Sequence, residues 1–508
     1  MKIERTQNAV RNIIFGVLYR IVSIVLPFIT RTAILYILGA KYLGLGSLFS
    51  SILSFLSLTE LGAGQAMVYS MYKPIAQNDR KTLKALVKLY RDFYRLIGTV
   101  IFVLGLCLMP FLRSLIHDTI PSDINLYLLY LIYLLNACLN YWLFAYKGSI
   151  LSAHQRNDIG SKIAMVVTPL SYLVMIPCLL LTKNYYWYII WVPVFTVVTN
   201  IVQAVYVDRH YPDLMPEGEV DPELKRSLFK KTGALIGTKL NTVVLNAADN
   251  LVMTAFIGLT AAAMYGNYHY IMSSITGFLG IFYASMTAGL GNSLAVESLE
   301  KNYRDFGIFS FANSWMTGWC TVCLVCLYQP FMRIWAGESL MFPFSIVLLF
   351  GLYFYVYQIR KIPVTYKDAA GIWWEDRFRP YVCMVTNVVL NIWMVQVIGI
   401  AGIILSTVFS LFISIPWENH TIFKYVFHCS AGEYYGKMTL YFLTMLLGGL
   451  LCFALCALLP QGVLGLIGRA FLCLIVPNAV FVALNCRRPE FIGTMDLAKR
   501  ILKRKKKA

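Results

Sequence analysis

A chain of 508 residues with 58% hydrophobic residues and only 14% charged ones is too apolar to be a soluble globular protein, since such proteins carry roughly 25% charged residues. Apolar stretches long enough to cross a bilayer recur from end to end, so the composition predicts a polytopic membrane protein. The net charge of +19 would suit nucleic acid, but the distribution of that charge along the chain points to a membrane instead.

Fourteen apolar runs separated by polar breaks predict an all-α fold with 14 transmembrane helices. The first twelve runs cover roughly 10–38, 44–72, 86–112, 123–150, 160–182, 185–207, 232–258, 264–296, 306–329, 340–364, 379–398 and 400–423. Two more follow at roughly 438–459 and 462–485. Each run is long enough to cross the hydrocarbon core of a bilayer as a helix.

The positions of lysine and arginine test this topology independently, because the cytoplasmic loops of membrane proteins carry an excess of both. With the N-terminus inside, 36 of the 44 basic residues lie in the inner connections and termini, 4 in the outer connections and 4 within spans. The distribution therefore predicts that both termini are cytoplasmic, and it predicts no nucleic-acid partner. The basic tail, Lys499–Lys507, is expected to lie on anionic membrane lipid.

The longest inner connection divides the first twelve spans into two groups of six. Residues 208–231 contain three prolines and a glycine among acidic residues, which is typical of an inter-domain linker. The predicted domains are an N-terminal six-helix lobe at 1–211, a C-terminal six-helix lobe at 212–428, and a region at 429–508 with two further helices and the basic tail.

The two lobes also repeat each other in sequence. A shift of 219 residues aligns three pairs in the same order: Arg20 with Lys239, Arg31 with Asn250, and Gly39 with Gly258. The shared order predicts two parallel-repeat six-helix bundles. Parallel repeats are a transporter architecture in which the substrate binds between the bundles.

Arg20 and Arg31 interrupt the first apolar run. They are eleven residues apart, so both point off one helix face about 16 Å apart along the axis. An arginine at the bilayer centre costs about 2.5–3.5 kcal/mol on insertion scales, so these side chains should face protein or a water-filled cavity. The alternative is snorkelling, with Arg31 near the outer boundary and Arg20 rescued by a neighbour.

The seventh span carries a second polar face. Lys239, Asn246 and Asn250 fall at i, i+7 and i+11, and Asp249 flanks them. One interpretation is that this face and the arginines of the first span line one cavity and bind substrate. The other is a network of hydrogen bonds between helices.

Glu60, in the second span, and Asp249 are the candidates for coupling to H+ or Na+ or for charge pairing. Pairing is favoured for Glu60 because two arginines are expected nearby. A cavity with several cations suits an anion, and the guanidinium fork binds phosphate through two N–H groups. The C-x2-C-x2-C spacing of Cys320, Cys323 and Cys326 winds around an apolar helix, so no metal site is predicted. No phosphate-binding loop is present, so ATP is not expected to drive this protein directly. No cofactor is predicted.

Three stretches carry a resemblance to a known family: Leu58–Gln65 (LTELGAGQ), Tyr72–Arg80 (YKPIAQNDR), and Tyr265–Tyr268 (YGNY) leading into a serine pair. With the basic third helix, they resemble the bacterial oligosaccharide flippases of polysaccharide biosynthesis. These belong to the multidrug/oligosaccharidyl-lipid/polysaccharide exporter superfamily, which also holds multidrug extruders and the murein-precursor flippase.

The resemblance implies a protein that is not an enzyme and that works by alternating access in the bacterial cytoplasmic membrane. It would flip an undecaprenyl-diphosphate-linked oligosaccharide from the cytoplasmic to the outer leaflet for surface or capsular polysaccharide synthesis. Arg20, Arg31 and Lys239 would bind the diphosphate, and a polysaccharide polymerase is the implied partner. One departure concerns coupling, because some extruder relatives carry an acidic residue in helix 1 and residues 11–39 here contain none.

Two alternatives stay open. An ion-coupled multidrug extruder of organic cations would need net negative charge in the cavity, whereas the spans supply mostly cations. A membrane polysaccharide polymerase or glycosyltransferase usually places its catalytic residues on a large outer loop, and the longest predicted outer connection has about ten residues.

Overall fold

The computed structural model describes residues 5–57 and 63–505. These ranges contain nineteen α-helices, joined by short turns and a few 3-10 or π segments, and no β-strand. The all-α fold predicted from the composition is therefore confirmed. The chain falls into two compact units, Met1–Gly266 and Asn267–Ala508.

The helices follow one another closely along the chain. The first unit contains ten of them: α1 (Arg5–Ile37), α2 (Ala40–Leu56), α3 (Ala63–Ala76), α4 (Arg80–Leu108), α5 (Leu126–Trp142), α6 (Gly148–Ala153), α7 (Asn157–Thr182), α8 (Tyr185–Ile189), α9 (Trp191–His210) and α10 (Pro222–Phe256). Helix α11 (Leu259–Val296) begins in the first unit and continues in the second. The second unit then contains α12 (Leu299–Trp335), α13 (Phe344–Ile359), α14 (Lys361–Ala370), α15 (Arg379–Ile398), α16 (Ile400–Ile422), α17 (Gly432–Ala457), α18 (Val463–Asn485) and α19 (Pro489–Lys505).

Eleven helical segments in the described ranges are long and apolar enough to cross a membrane, or twelve if the bent pair after Leu126 is one span. The protein is thus a multi-pass membrane protein, but the predicted count of 14 is not confirmed. Two predicted spans account for the difference. In the run at 44–72, α2 has only 17 residues. The run at 232–258 lies within α10 and contains Lys239, Asp249 and three asparagines, which lower its hydropathy.

Local side-chain chemistry fixes several helix starts. The Asp79 carboxylate accepts a hydrogen bond from the Thr82 amide at 3.0 Å and caps α4. The Asn125 side chain caps α5 in the same way. Asp221 caps α10, whose first residue is Pro222, and a proline is well tolerated there because its missing N–H has no partner in the first turn. Helix α10 consequently begins well before the predicted span.

The connection between α9 and α10 is shorter than the predicted linker and is tied to α4. Asp213 accepts from Arg80 at 2.5 Å, and Glu217 accepts from Lys84 at 2.9 Å. The hydrogen bond and the charge of Lys84 hold the pKa of Glu217 below its ordinary value. These pairs lie on the surface, so each contributes little to stability but fixes the path of the connection.

The sequence repeat has a structural counterpart at two helix ends. Gly39 follows α1 with φ of +104°, and Gly258 follows α10 with φ of +130°. Their amides donate to the carbonyls of Ile34 and Met253, both at 3.0 Å, and these two positions are also separated by the repeat shift of 219 residues. Since a residue with a side chain rarely adopts such φ values, glycine is required at both turns.

The start of α2 forms hydrogen bonds with the connection between α4 and α5. The Lys41 ammonium lies 3.1 Å from Asp118 Oδ1 and donates to Thr119 Oγ1 at 2.6 Å. Burial raises the pKa of the Asp118 carboxyl, but hydrogen bonds from Lys41 and the Thr119 amide outweigh that effect and leave the pKa below its ordinary value. The His117 amide donates to the Thr254 carbonyl of α10. The His117–Asp118 pair therefore has a structural role.

Replacing Gly44 with alanine is expected to destabilise the first unit by about 1–3 kcal/mol, the usual cost of overpacking. A Cβ at this position would overlap the Leu259 backbone carbonyl, which cannot rotate away. The thermal unfolding temperature of the purified protein in detergent measures the effect. Gly160→Ala is the matched control, because a Cβ there has no neighbour within 4 Å among the described residues. Equal unfolding temperatures for the two variants would contradict the close approach.

Candidate functional site

Helix α1 separates an apolar face from a cationic one. Leu18, Val25 and Ile29 lie within about 20° of one helical direction, and their side chains are 42–47% exposed. Arg20 and Arg31 lie on the opposite side of the helix and are half-buried. The apolar face suits lipid, whereas the arginines point toward protein or enclosed water.

Arg20 lies among apolar residues of α1 without a complete set of partners. Its Nε atom is buried and forms no hydrogen bond within the described ranges. Its backbone carbonyl accepts from the Ser23 hydroxyl at 2.8 Å. A buried, unsatisfied guanidinium N–H is costly, and an anionic ligand or a water molecule would satisfy it.

Arg31 lies against the first turns of α11. A Cβ built on Gly266 would come within 3.0 Å of Arg31 Nη2 and 3.3 Å of Ser47 Oγ. The absence of a side chain at position 266 therefore leaves room for the guanidinium between α2 and α11. Sequence reasoning did not assign a role to Gly266, because this contact joins residues far apart in the chain.

Asp249 contacts Tyr265, the residue before Gly266 on α11. The Tyr265 hydroxyl donates to Asp249 Oδ2 at 2.7 Å, and both side chains are 2% exposed. This bond agrees with the hydrogen-bond network that sequence analysis kept as an alternative for the polar face of α10. Arg31 therefore lies beside Gly266, and Asp249 is hydrogen-bonded to the preceding residue, Tyr265.

The other predicted site residues are described less completely. Asn250 is half-buried, and its side-chain oxygen forms no hydrogen bond in the described part of the chain. The side chains of Lys239 and Asn246 lie outside what the structure describes, although both residues belong to α10. Glu60 lies outside the described residues altogether. Their roles in binding or coupling stay predictions.

The second unit holds a buried ion network that the sequence analysis did not single out. Glu418 on α16 is fully buried and lies 2.5 Å from Arg360 and 3.0 Å from Arg379. Arg379 also pairs with Asp376 at 2.9 Å, and Asp376 accepts from Lys367. The sequence did contain one signal for this network. Glu418 is a carboxylate inside the predicted span at 400–423, and a charge inside a membrane requires a partner.

Comparison with known proteins identifies the family of this chain. Residues 9–286, more than half of the sequence, match the family model described as polysaccharide biosynthesis protein. The chain belongs to the polysaccharide biosynthesis protein family. This match confirms the family resemblance predicted from the sequence. Curated protein sequences gave no significant match.

Solved structures show that this family member has the fold of flippases and multidrug transporters. Its fold is similar to that of the lipid II flippase MurJ in an inward closed conformation, with a TM-score of 0.66, 15% identity, and coverage of 93% of this chain and 98% of MurJ. An inward-facing multidrug resistance MATE family transporter of the MOP superfamily gives a TM-score of 0.61 at 12% identity, with 80% and 98% coverage.

A third structure shows that this fold does not fix the charge of the binding pocket. A MOP superfamily transporter from Pyrococcus furiosus gives a TM-score of 0.51 at 12% identity, covering 82% of this chain and 95% of its own. That transporter is described as having a binding pocket of reverse polarity, which suggests a different function for it. Function in this fold therefore has to be argued from the charges of the particular chain.

Proposed function

We propose that this protein flips a polyprenyl-diphosphate-linked oligosaccharide from the cytoplasmic to the outer leaflet during polysaccharide synthesis. The observation that carries the proposal is the family match over residues 9–286, within which α1 carries two half-buried arginines opposite its exposed apolar face. Arg20 and Arg31 bind the diphosphate by charge-assisted hydrogen bonds. The lipid tail stays in the membrane while the head group crosses by alternating access, so no bond is made or broken.

The remaining predictions follow from this assignment. The protein resides in the bacterial cytoplasmic membrane with both termini in the cytoplasm, where the basic tail lies on anionic lipid. Lys239, Asn246 and Asn250 extend the binding surface on α10. Asp249 or Glu60 couples transport to H+ or Na+, and a polysaccharide polymerase consumes the product in the outer leaflet.

Vesicles that contain only this protein test the function directly. A fluorescent polyprenyl-diphosphate oligosaccharide is reconstituted, and its exposure to the far side is followed with a membrane-impermeant lectin, with and without an imposed ion gradient. Protein-dependent exposure beyond that of empty vesicles is the expected result. No exposure under any gradient, from protein that is folded and correctly inserted, would contradict the proposal.

Multidrug extrusion is the second candidate, since the MATE-family transporter shares the fold. The described charges of α1 disfavour it, because Arg20 and Arg31 would repel an organic cation. Gradient-driven movement of a cationic dye in the same vesicles, unaffected by competing diphosphate lipid, would favour extrusion over flipping.

Replacing Gly266 with valine is expected to lower the transport rate about tenfold while the protein stays folded. The new side chain would occupy the space beside Arg31 Nη2 and push the guanidinium from its place. The vesicle assay measures the rate, and circular dichroism with size-exclusion chromatography checks the fold. Gly280→Val on the same helix is the control, since a Cβ there has no neighbour within 4 Å among the described residues. Similar rates for both variants would show that the position of Arg31 is unimportant for transport.

A further inference from the structure

Four cysteines from three helices of the second unit converge on one point. Cys326 lies on α12, Cys452 and Cys456 on α17, and Cys473 on α18, and their sulfur atoms all lie within 4.8 Å of one another. All four side chains are buried, with 0–5% exposure. Cys320 and Cys323, which share the C-x2-C-x2-C spacing with Cys326, are not part of the group.

The geometry of this group suits a single tetrahedral ion. Four thiolates at the usual zinc–sulfur distance of about 2.3 Å lie roughly 3.8 Å apart, and the Cys452 and Cys473 sulfurs are 3.7 Å apart. Cys452 and Cys456 are spaced i, i+4, which puts both on one helix face. An iron–sulfur cluster is disfavoured, because its thiolates bind different irons and are held farther apart.

A buried cation lies beside the cysteines. Arg469, one turn before Cys473 on α18, is 5% exposed. Its guanidinium donates to the carbonyls of Cys456 at 3.2 Å, Leu459 at 2.8 Å and Pro460 at 3.1 Å. No carboxylate in residues 63–505 forms an ion pair with it in the structure. Four thiolates around a divalent ion carry two negative charges, and such a complex would offset the uncompensated charge of Arg469.

Apolar packing is the ordinary explanation for buried cysteines, which behave as small hydrophobic residues. Four of the five fully buried residues in this cluster are cysteines, and the fifth is Val322. Packing alone favours mixed shapes and does not require four sulfurs to point at one another. An apolar groove of about 340 Å³, lined in part by Val322 and Cys326, reaches the cluster.

We propose that Cys326, Cys452, Cys456 and Cys473 form a structural zinc site. Thiolate sulfur is a preferred ligand of zinc, and four protein ligands leave no open position for catalysis. Binding would release the four thiol protons. The ion would hold the hairpin of α17 and α18 on α12, which would fix the two trailing spans independently of the flippase assignment.

Metal analysis of the detergent-purified protein tests the site. Wild type grown with zinc is expected to retain about one zinc ion per chain through size-exclusion chromatography. Cys452→Ser/Cys473→Ser should lose that ion, whereas Cys320→Ser/Cys323→Ser should retain it. Zinc below a tenth of an ion per chain in folded wild type, or stoichiometric copper in its place, would overturn the proposal.

A measurement on the wild type alone guards against a variant that fails to fold. Titration with an organomercurial, followed by a colorimetric zinc indicator, should release one zinc ion as the buried thiols react. Chelator treatment should lower the thermal unfolding temperature of the wild type and of the Cys320→Ser/Cys323→Ser control. Two outcomes would show that the cluster binds no zinc. In the first, all twelve thiols react in the denatured protein and no zinc is released; in the second, two thiols are missing because they form a disulfide.

Discussion

Replacing Glu418 with glutamine is expected to lower the free energy of unfolding by about 3–5 kcal/mol, because removing one partner leaves a buried charge uncompensated. Glu418 is fully buried, accepts a hydrogen bond from Arg360 and forms an ion pair with Arg379. Glutamine keeps the volume but not the charge. Arg360 would then lose the carboxylate with which it pairs, whereas Asp376 would still pair with Arg379 and Lys367.

Thermal and denaturant unfolding in detergent measure this loss. Glu433→Gln is the control, because Glu433 forms an exposed i, i+4 pair with Lys437 and such pairs contribute less than about 1 kcal/mol. The double variant Glu418→Gln/Arg360→Gln should recover part of the stability, since it removes one of the unpaired cations. Equal unfolding temperatures for Glu418→Gln and Glu433→Gln would show that the network does not stabilise the second unit.

Replacing Arg31 with alanine is expected to reduce transport of the diphosphate lipid by about ten- to a hundred-fold. The estimate follows from the 1.5–3 kcal/mol of a typical hydrogen bond to a charged group, taking about 1.4 kcal/mol per tenfold change. Arg20→Ala should act in the same direction, because its buried Nε has no described partner. Arg31→Lys keeps the charge but not the guanidinium fork and should give an intermediate rate.

Initial rates in vesicles, at equal protein density, provide the measurement. Arg209→Ala is the control, because Arg209 is an exposed cation at the end of α9. Wild-type rates in both Arg20→Ala and Arg31→Ala would remove these residues from the proposed site. If those variants fail to transport while Arg209→Ala is normal, and all three stay folded, loss of net charge alone cannot explain the defect.

Sequence reasoning predicted the all-α membrane fold and the family, because hydropathy and residue spacing are local properties of the chain. The predicted span at 232–258 was less accurate at its start. Helix α10 continues upstream to Pro222 through charged turns, and hydropathy reports burial in lipid rather than the extent of a helix. Asp221 and Pro222 carried the correct signal for the helix start.

The sequence likewise predicted only part of the candidate site. The sequence placed Arg20 and Arg31 on one helix face, because their spacing alone determines that. It could not show that Arg31 lies beside Gly266 or that Asp249 accepts from Tyr265. The first of these contacts joins positions in different helices far apart in the chain, and only packing decides which neighbours meet.

By itself the sequence determined the helical membrane architecture and its cationic first helix, since each follows from hydropathy and residue spacing along the chain. The tertiary structure alone decided the partners of Glu418 and the convergence of Cys326 with three distant cysteines. The physical reason is that charge compensation and metal-ligand geometry depend on distances between helices, which the order of residues along one helix does not specify.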